Sequence, residues 1–371
     1  MIDASNAFNS INRQAALWNT RILWPNCSLF IFNTYRGWAP LVVKDSKEFL
    51  YSKEGVTQGD PLSMFIYAVA TVPLIDHIGH PNTGRDVWYA DDASACASLD
   101  DLLSWFSRLL SAGPSFGYHP EPRKCVLVVN SNYVSSACDL FKSYGVDVTT
   151  SHRLLGGVIG SEIGSVDYVK DCVSEWVKIL ERLIVIAETQ PQLSYSAYTR
   201  SIQSQWTYLQ RVTPNCSELF GPVETIIKEK LLPTLFGCEI SDSERTLFSL
   251  PTRMGGLNIL QPPTTADKNY SNSRKLTTPI VNALKENGQL DMDEFIEYHD
   301  AAIKEITKTK DADMLELFND ISARIDQQQY RAVCRAKDEK MSSWLTINPV
   351  AKHHFDLTAQ EFRDALAIRG Y

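Results

Sequence analysis

At 371 residues and 44% hydrophobic content, the chain can bury a sizeable core and form two or three domains, which excludes an intrinsically disordered protein. Its 36 Lys and Arg against 44 Asp and Glu give a formal charge of −8 at pH 7, so any grip on a phosphate backbone must be a local arrangement. Eight cysteines without a Cys-x-x-Cys pair argue against a zinc ribbon and a disulfide framework; a reduced, intracellular protein is the expectation, nuclear or cytoplasmic left open.

In chain order, Asp3 stands at the end of a short extended segment, and Ala4-Ser5-Asn6-Ala7-Phe8-Asn9 follows. Phe8, Ile11 and Ala15 keep helical spacing, which makes Phe8 a core aromatic of an amphipathic stretch. Glu54-Gly55-Val56-Thr57-Gln58-Gly59-Asp60-Pro61-Leu62 reads as a glycine-rich loop opening a helix, because Gly55 and Gly59 reach backbone conformations closed to other residues and Pro61 suits a first helical turn. A plain turn before a buried helix explains the same residues. The uncharged stretch 61–75 carries Pro61 and Pro73 and is too short to span a bilayer, so no membrane is expected as a partner.

Tyr89-Ala90-Asp91-Asp92 is flanked by Val87-Trp88 and by Ala93-Ser94-Ala95-Cys96. The pattern predicts a β-hairpin with its turn at Asp91-Asp92 and both carboxylates at the tip. Adjacent carboxylates in apolar surroundings repel each other, and divalent cations relieve that repulsion. A solvated Asp-rich surface turn is the competing reading. Gly117-Tyr118-His119-Pro120-Glu121-Pro122-Arg123-Lys124-Cys125 then leads into an apolar run at 126–129, and Leu154-Leu155-Gly156-Gly157 carries a second turn signal.

Further on the pattern is helical. Val173, Trp176, Val177, Leu180, Leu183, Ile184 and Ala187 repeat at three and four, as do Tyr195, Tyr198, Ile202, Trp206 and Leu209, then Val223, Ile226, Ile227 and Leu231. Leu250-Pro251 and Gly255-Gly256-Leu257 suggest a compact turn with no chemistry, and Pro262, Pro263 and the polar run at 264–273 suggest a linker. Residues 280–345 read as helical, with Met314, Leu317, Phe318, Ile321 and Ile325 on one face, and Thr358 with Glu361 forms a capping box for the last helix.

The five blocks at 3–9, 54–62, 89–92, 117–125 and 154–157 resemble, in this order, motifs A to E of a reverse transcriptase. The AFN, EGVTQGDPLS and YADD strings are most similar to the polymerases of non-LTR (LINE-like) retrotransposons. The resemblance covers residues 1–160 specifically and the remainder loosely. It implies an α+β fold: a polymerase palm, an antiparallel sheet with packed helices, over 1–160, then a helical thumb-like domain over 161–262, a linker at 263–279 and a helical C-terminal region at 280–371.

The activity implied is RNA-directed DNA polymerisation, with an RNA template, a DNA primer and deoxynucleoside triphosphates as partners. Nucleotidyl transfer needs in-line attack on an α-phosphate, and two Mg²⁺ about 3.5–4 Å apart stabilise the attacking and leaving oxygens. Asp3 and Asp91 are the expected shared ligands and Asp92 a helper at the edge, since Mg²⁺ prefers hard oxygen donors; Mn²⁺ is a possible substitute. By resemblance Lys124 protonates or neutralises the leaving pyrophosphate. The resemblance also has Gln58 contact nucleotide or template, Gly59 permit that approach, and Tyr89 and Ala90 complete the substrate-binding set. It places Phe8 beneath the sugar, where a ring excludes a ribose 2′-hydroxyl, and Gly156 and Gly157 in the primer grip.

The family carries basic fingers and a strand before motif A, whereas Met1 and Ile2 are all that precede Asp3 here. The expectation is therefore a polymerase truncated at its N-terminus and inactive alone. The competing expectation is a non-catalytic retroelement remnant that at most binds nucleic acid or a partner protein.

Overall fold

A computed structural model describes residues 1–44, 48–286, 288–337 and 342–369. The chain divides into two compact units, Met1–His152 and Arg153–Tyr371. Small, mostly antiparallel strand pairs among many helices make the architecture broadly α+β.

In the first unit, helices α1 (Ala7–Ser10), α2 (Arg13–Leu23), α3 (Pro25–Tyr35), α4 (Ser63–Ile78), α5 (Leu99–Ala112) and α6 (Val134–Phe141) surround three strand pairs. Strands β1 (Ala39–Val42) and β2 (Phe49–Ser52) are antiparallel, as are β3 (Arg85–Tyr89) and β4 (Asp92–Cys96), while β5 (Val126–Val128) and β6 (Asp147–Thr149) run parallel. Ile31, Ile66, Leu74, Ala93, Trp105, Leu109 and Tyr118 are buried together in one apolar core. The first residues of the chain pass between β4 and the segment leading into β5. Ile2 N donates to Ala93 O at 2.7 Å on one side, and on the other Glu121 N donates to Asp3 O at 2.9 Å and Val126 N to Met1 O at 3.0 Å.

The helical spacing of Phe8, Ile11 and Ala15 does not give one helix. Ile11 is extended (φ −55°, ψ 138°) and the Asn12 side chain accepts from Ala15 N at 2.9 Å, so a capped second helix starts there. Pro61 likewise lies in the turn before α4, not in its first turn. Asp60 Oδ1 accepts from Leu62 N at 2.9 Å and Ser63 Oγ donates to Thr57 O at 2.6 Å, bonds that hold the chain in a turn until Ser63.

In the second unit, α7 (Glu162–Thr189) buries Val169, Val173, Trp176, Leu180, Leu183 and Ala187 along one stripe. The expected second helix is α8 (Pro191–Ala197) and α9 (Gln203–Val212) joined by a π-turn at Tyr198–Ile202. The third is α10 (Gly221–Ile226) and α11 (Leu232–Phe236), joined by a π-turn at Ile227–Leu231. Trp176 packs at 5.8 Å from Trp206 and 6.1 Å from Phe220, so these tryptophans are core residues. At the end of α12 (Asp242–Ser249), a Cβ added to Gly256 would lie 2.0 Å from Leu250 O, which explains the small residue in that compact turn.

The linker expected at 263–279 is instead the body of α13 (Pro262–Glu286). A proline at the first helical position lacks only an N–H that would be orphaned anyway, and Ala266 is buried in the core, so the proline pair begins a helix where a break was expected. Helices α14 (Met292–Ser322) and α15 (Gln327–Ala336) follow, and Thr358 and Glu361 form the expected capping box of α16 (Ala359–Ile368). Phe318, Ile321, Val333, Leu345, Phe362 and Leu366 share one core with α7 to α11. Described residues of 161–262 and of the segments after 280 therefore share one core.

Candidate cation site

Tyr89 pairs with Asp92 across the β3–β4 hairpin, so its two-residue loop is Ala90-Asp91 and not Asp91-Asp92. Ala90 takes the left-handed turn position (φ 54°), which shifts the tip by one residue. Asp91 is thereby in the loop and Asp92 opens the returning strand.

The Ile2–Ala93 bond fixes the register of the chain start against β4 and brings Asp3 beside the hairpin. Burial raises the Asp92 pKa, and the charges of Asp91 and Asp3 raise it further. All three aspartates are half-buried. Lys124, in a tight turn at Pro122–Lys124, brings Nζ to 4.0 Å from Asp3 Oδ1, with side chains 63% and 49% exposed. Such an exposed pair is screened by water and holds little together.

The donors suit a hard divalent cation in kind, because three carboxylates crowd until Asp92 holds its proton more tightly. They are not closed into a coordination set. Among the described residues, no three His, Cys, Asp or Glu side chains are gathered so as to hold a metal ion.

The Gln58-Gly59 loop is tied to the segment after Asp3. Val56 N donates to Phe8 O at 2.7 Å and Gly55 N to Ile11 O at 2.9 Å. Gly55 (φ 73°) has no room for a side chain, since a Cβ would sit 2.4 Å from the Asn9 backbone. Buried Arg13 donates to Gly55 O at 2.9 Å, Ser52 O at 3.0 Å, Glu54 O at 2.7 Å and Gly37 O at 3.1 Å. Gly59 (φ 91°) faces open space, so only its backbone conformation requires glycine.

Gln58, Gly59 and Tyr89 are exposed, and Tyr89 meets the aspartates through its strand pairing with Asp92. The half-buried Phe8 ring stacks on Tyr67 at 4.6 Å and packs against the core, in line with the core-aromatic reading. Leu155 (φ 47°) and Gly156 (φ 82°) form the loop between β7 (Ser151–Leu154) and β8 (Gly157–Gly160).

The sequence alone does not single out Tyr67, Tyr118 or Arg13 as site residues. Tyr118 Oη donates to Asp91 O at 3.0 Å and so supports the loop from beneath. The signal for Tyr67 was a polar-tipped ring on the buried stripe Ser63, Ile66, Ala70 and Leu74 of α4.

Fold and site together define an α+β chain whose first unit carries an acidic β-hairpin paired with a second aspartate segment. No protein-family model matches the chain, and neither does any curated protein. No helix among the described residues is long and apolar enough to cross a membrane.

Proposed function

We propose that this chain is the palm and thumb of an RNA-directed DNA polymerase of the LINE-like kind, acting by nucleotidyl transfer. The observation that carries the reading is the Ile2–Ala93 backbone bond, which lays Asp3 beside the Asp91-Asp92 hairpin so that their charges act on one another. Carboxylates supplied by separate chain segments are what such chemistry requires.

Asp3 and Asp91 would hold divalent ions, Mg²⁺ or Mn²⁺, with Asp92 at the edge; when bound, these ions stabilise charge on the attacking and leaving oxygens. The chain's own residues supply the rest. Lys124, exposed beside Asp3, would neutralise or protonate the departing pyrophosphate. Arg13 fixes the loop that presents Gln58 and Gly59, and Phe8, held by Tyr67, is the steric gate against a ribose.

The second reading, a non-catalytic remnant, is favoured by the open arrangement of the carboxylates. The two separate in RNA-templated primer extension. Lys124 is the one cation within ion-pair range of these aspartates among the described residues, so a triphosphate needs further positive charge. The chain joined to the basic fingers of a LINE-like polymerase is expected to extend a primer with Mg²⁺, at least 100-fold faster than its Asp91→Asn variant. The chain by itself should extend little. No Asp91-dependent extension by the joined protein, in Mg²⁺ or in Mn²⁺, would leave the remnant reading standing.

A further inference from the structure

Helices α2 and α3 and the β1–β2 hairpin turn an unusual amount of apolar surface to solvent. Trp18, Phe30, Trp38 and Phe49 are each 61 or 62% exposed, and Leu29 and Val42 are more open still. These elements are held together, because α2 packs on α3 and Arg13 on α2 donates to Gly37 O and Ser52 O at the base of the hairpin. The four rings alone offer roughly 400–600 Å², and with the aliphatic side chains the surface approaches the ~800 Å² per partner of a stable interface. It is also basic. Residues 4–44 contain no Asp or Glu, in a chain of net charge −8. Arg21, Arg36, Lys44 and Lys53 are exposed, and among the described residues none of them forms an ion pair. Lys53 Nζ lies 4.3 Å from the centroid of the Trp38 ring, so cations and rings are interleaved.

The opposite surface lies on the same chain, where α13 ends and α14 begins. Met292 and Ile296 are exposed one turn apart on α14, and Ile303 follows two turns further. Around them, residues 286–303 hold six carboxylates, from Glu286 to Asp300, and no Lys or Arg. All six are exposed, and among the described residues none forms an ion pair. Tyr298 Oη donates to Lys275 O at 3.1 Å and Lys275 pairs with Glu305 at 2.6 Å, which fastens the two helices next to this acidic end.

We propose that the chain associates head to tail: the basic apolar face of α2, α3 and the β1–β2 hairpin of one copy docks on the acidic apolar end of α13 and α14 of a second copy. Other occupants fit less well. A face-to-face dimer would set Arg21, Arg36, Lys44 and Lys53 against their own counterparts, and like charges across an interface are costly. A single nucleic-acid strand would satisfy the cations and stack on the rings, but would leave Leu29 and Val42 without apolar partners. The acidic end offers carboxylates and aliphatic side chains together. Such a contact is heterologous, so it builds rings or open chains and does not stop by symmetry at a dimer. It stands whether or not the polymerase reading does.

The test is sedimentation velocity of the whole chain across the micromolar range, alone and as two charge-reversed variants, Arg21→Glu with Arg36→Glu and Glu297→Lys with Asp300→Lys. All four side chains are exposed, so both variants should melt as the chain itself does. The chain is expected to form oligomers that grow with concentration and come apart as salt rises from ~0.05 to ~0.5 M. Each variant should associate at least about tenfold more weakly. An equimolar mixture of the two should regain association, since each reversed surface then meets one of opposite charge. A chain that stays monomeric at low salt overturns the inference. Association lost in the arginine variant but intact in the acidic-end variant overturns it in favour of a symmetric contact, and a mixture that does not recover overturns the pairing of these two surfaces. Oligomers that form only when single-stranded RNA is added overturn it in favour of a nucleic-acid surface.

Discussion

Lys124–Asp3 in the first unit and Arg245–Glu224 in the second join the same charges in opposite settings. Arg245 is buried, its Nε and one terminal nitrogen donate to the two Glu224 oxygens at 2.7 and 2.8 Å, and the same guanidinium donates to Ile259 O at 2.8 Å. The pair ties α10 to α12, and the guanidinium ties both to the Ile259 and Leu260 carbonyls before α13. Lys124 and Asp3 stand 4.0 Å apart in water, and Asp3 adds its charge to a cluster that already disfavours the ionised form of Asp92. Charge at the Arg245–Glu224 pair is neutralised to build a scaffold. In the first unit it is left under-neutralised at a surface, the condition in which a cation or a phosphate can still bind.

The largest effect should come from breaking the buried pair. Arg245→Ala strands Glu224 and two backbone carbonyls, and a loss of about 3–5 kcal/mol is expected in chemical denaturation. Lys124→Ala should change stability by less than about 0.5 kcal/mol. Equal losses for the two substitutions would erase the contrast between the units.

A smaller effect, opposite in sign, is expected at Asp92. Its folded pKa lies above the ordinary value of 3.8, so the folded state holds the proton more tightly than the unfolded chain does. The ionised carboxylate therefore costs stability at neutral pH, and that cost fades as pH falls through the raised value toward 3.8 and below. Asp92→Asn should raise the melting temperature at pH 7, with no gain at pH 3. A lower melting temperature at pH 7 would mean that Asp92 is stabilised, not crowded, by its neighbours.

The difference between the units also bears on what the sequence could reveal. The stripe from Val173 to Ala187 was legible because burial on a helix repeats every three to four residues, and the same holds for Phe318 and Ile321 on α14. The Thr358–Glu361 cap was legible because its partners are three residues apart. The helix replacing the linker was not, because a proline pair breaks a helix from within but starts one from its end.

At the site, the hairpin carrying Asp91 and Asp92 could be read from alternation, yet its tip fell one residue early since nothing in Ala90 announces a left-handed backbone. The placement of Asp3 was an expectation from chemistry; the bond that sets it, Ile2 to Ala93, is a long-range pairing that no local pattern encodes. Tyr67, Tyr118 and Arg13 were missed for the same reason. Each acts on a segment distant in sequence, Tyr67 on the Phe8 ring, Tyr118 on Asp91 O and Arg13 on the carbonyls of Ser52, Glu54 and Gly55.

The central claim is that Asp3, Asp91 and Asp92 together form a divalent-cation site, and anomalous X-ray scattering from crystals of the whole chain grown with Mn²⁺ tests it most directly. The account predicts anomalous density at the carboxylates of Asp3 and Asp91, with Asp92 at its edge, and none in crystals of Asp91→Asn. Well-ordered Mn²⁺ elsewhere with none at these three residues would contradict it, and so would a peak at the hairpin that persists unchanged in Asp91→Asn.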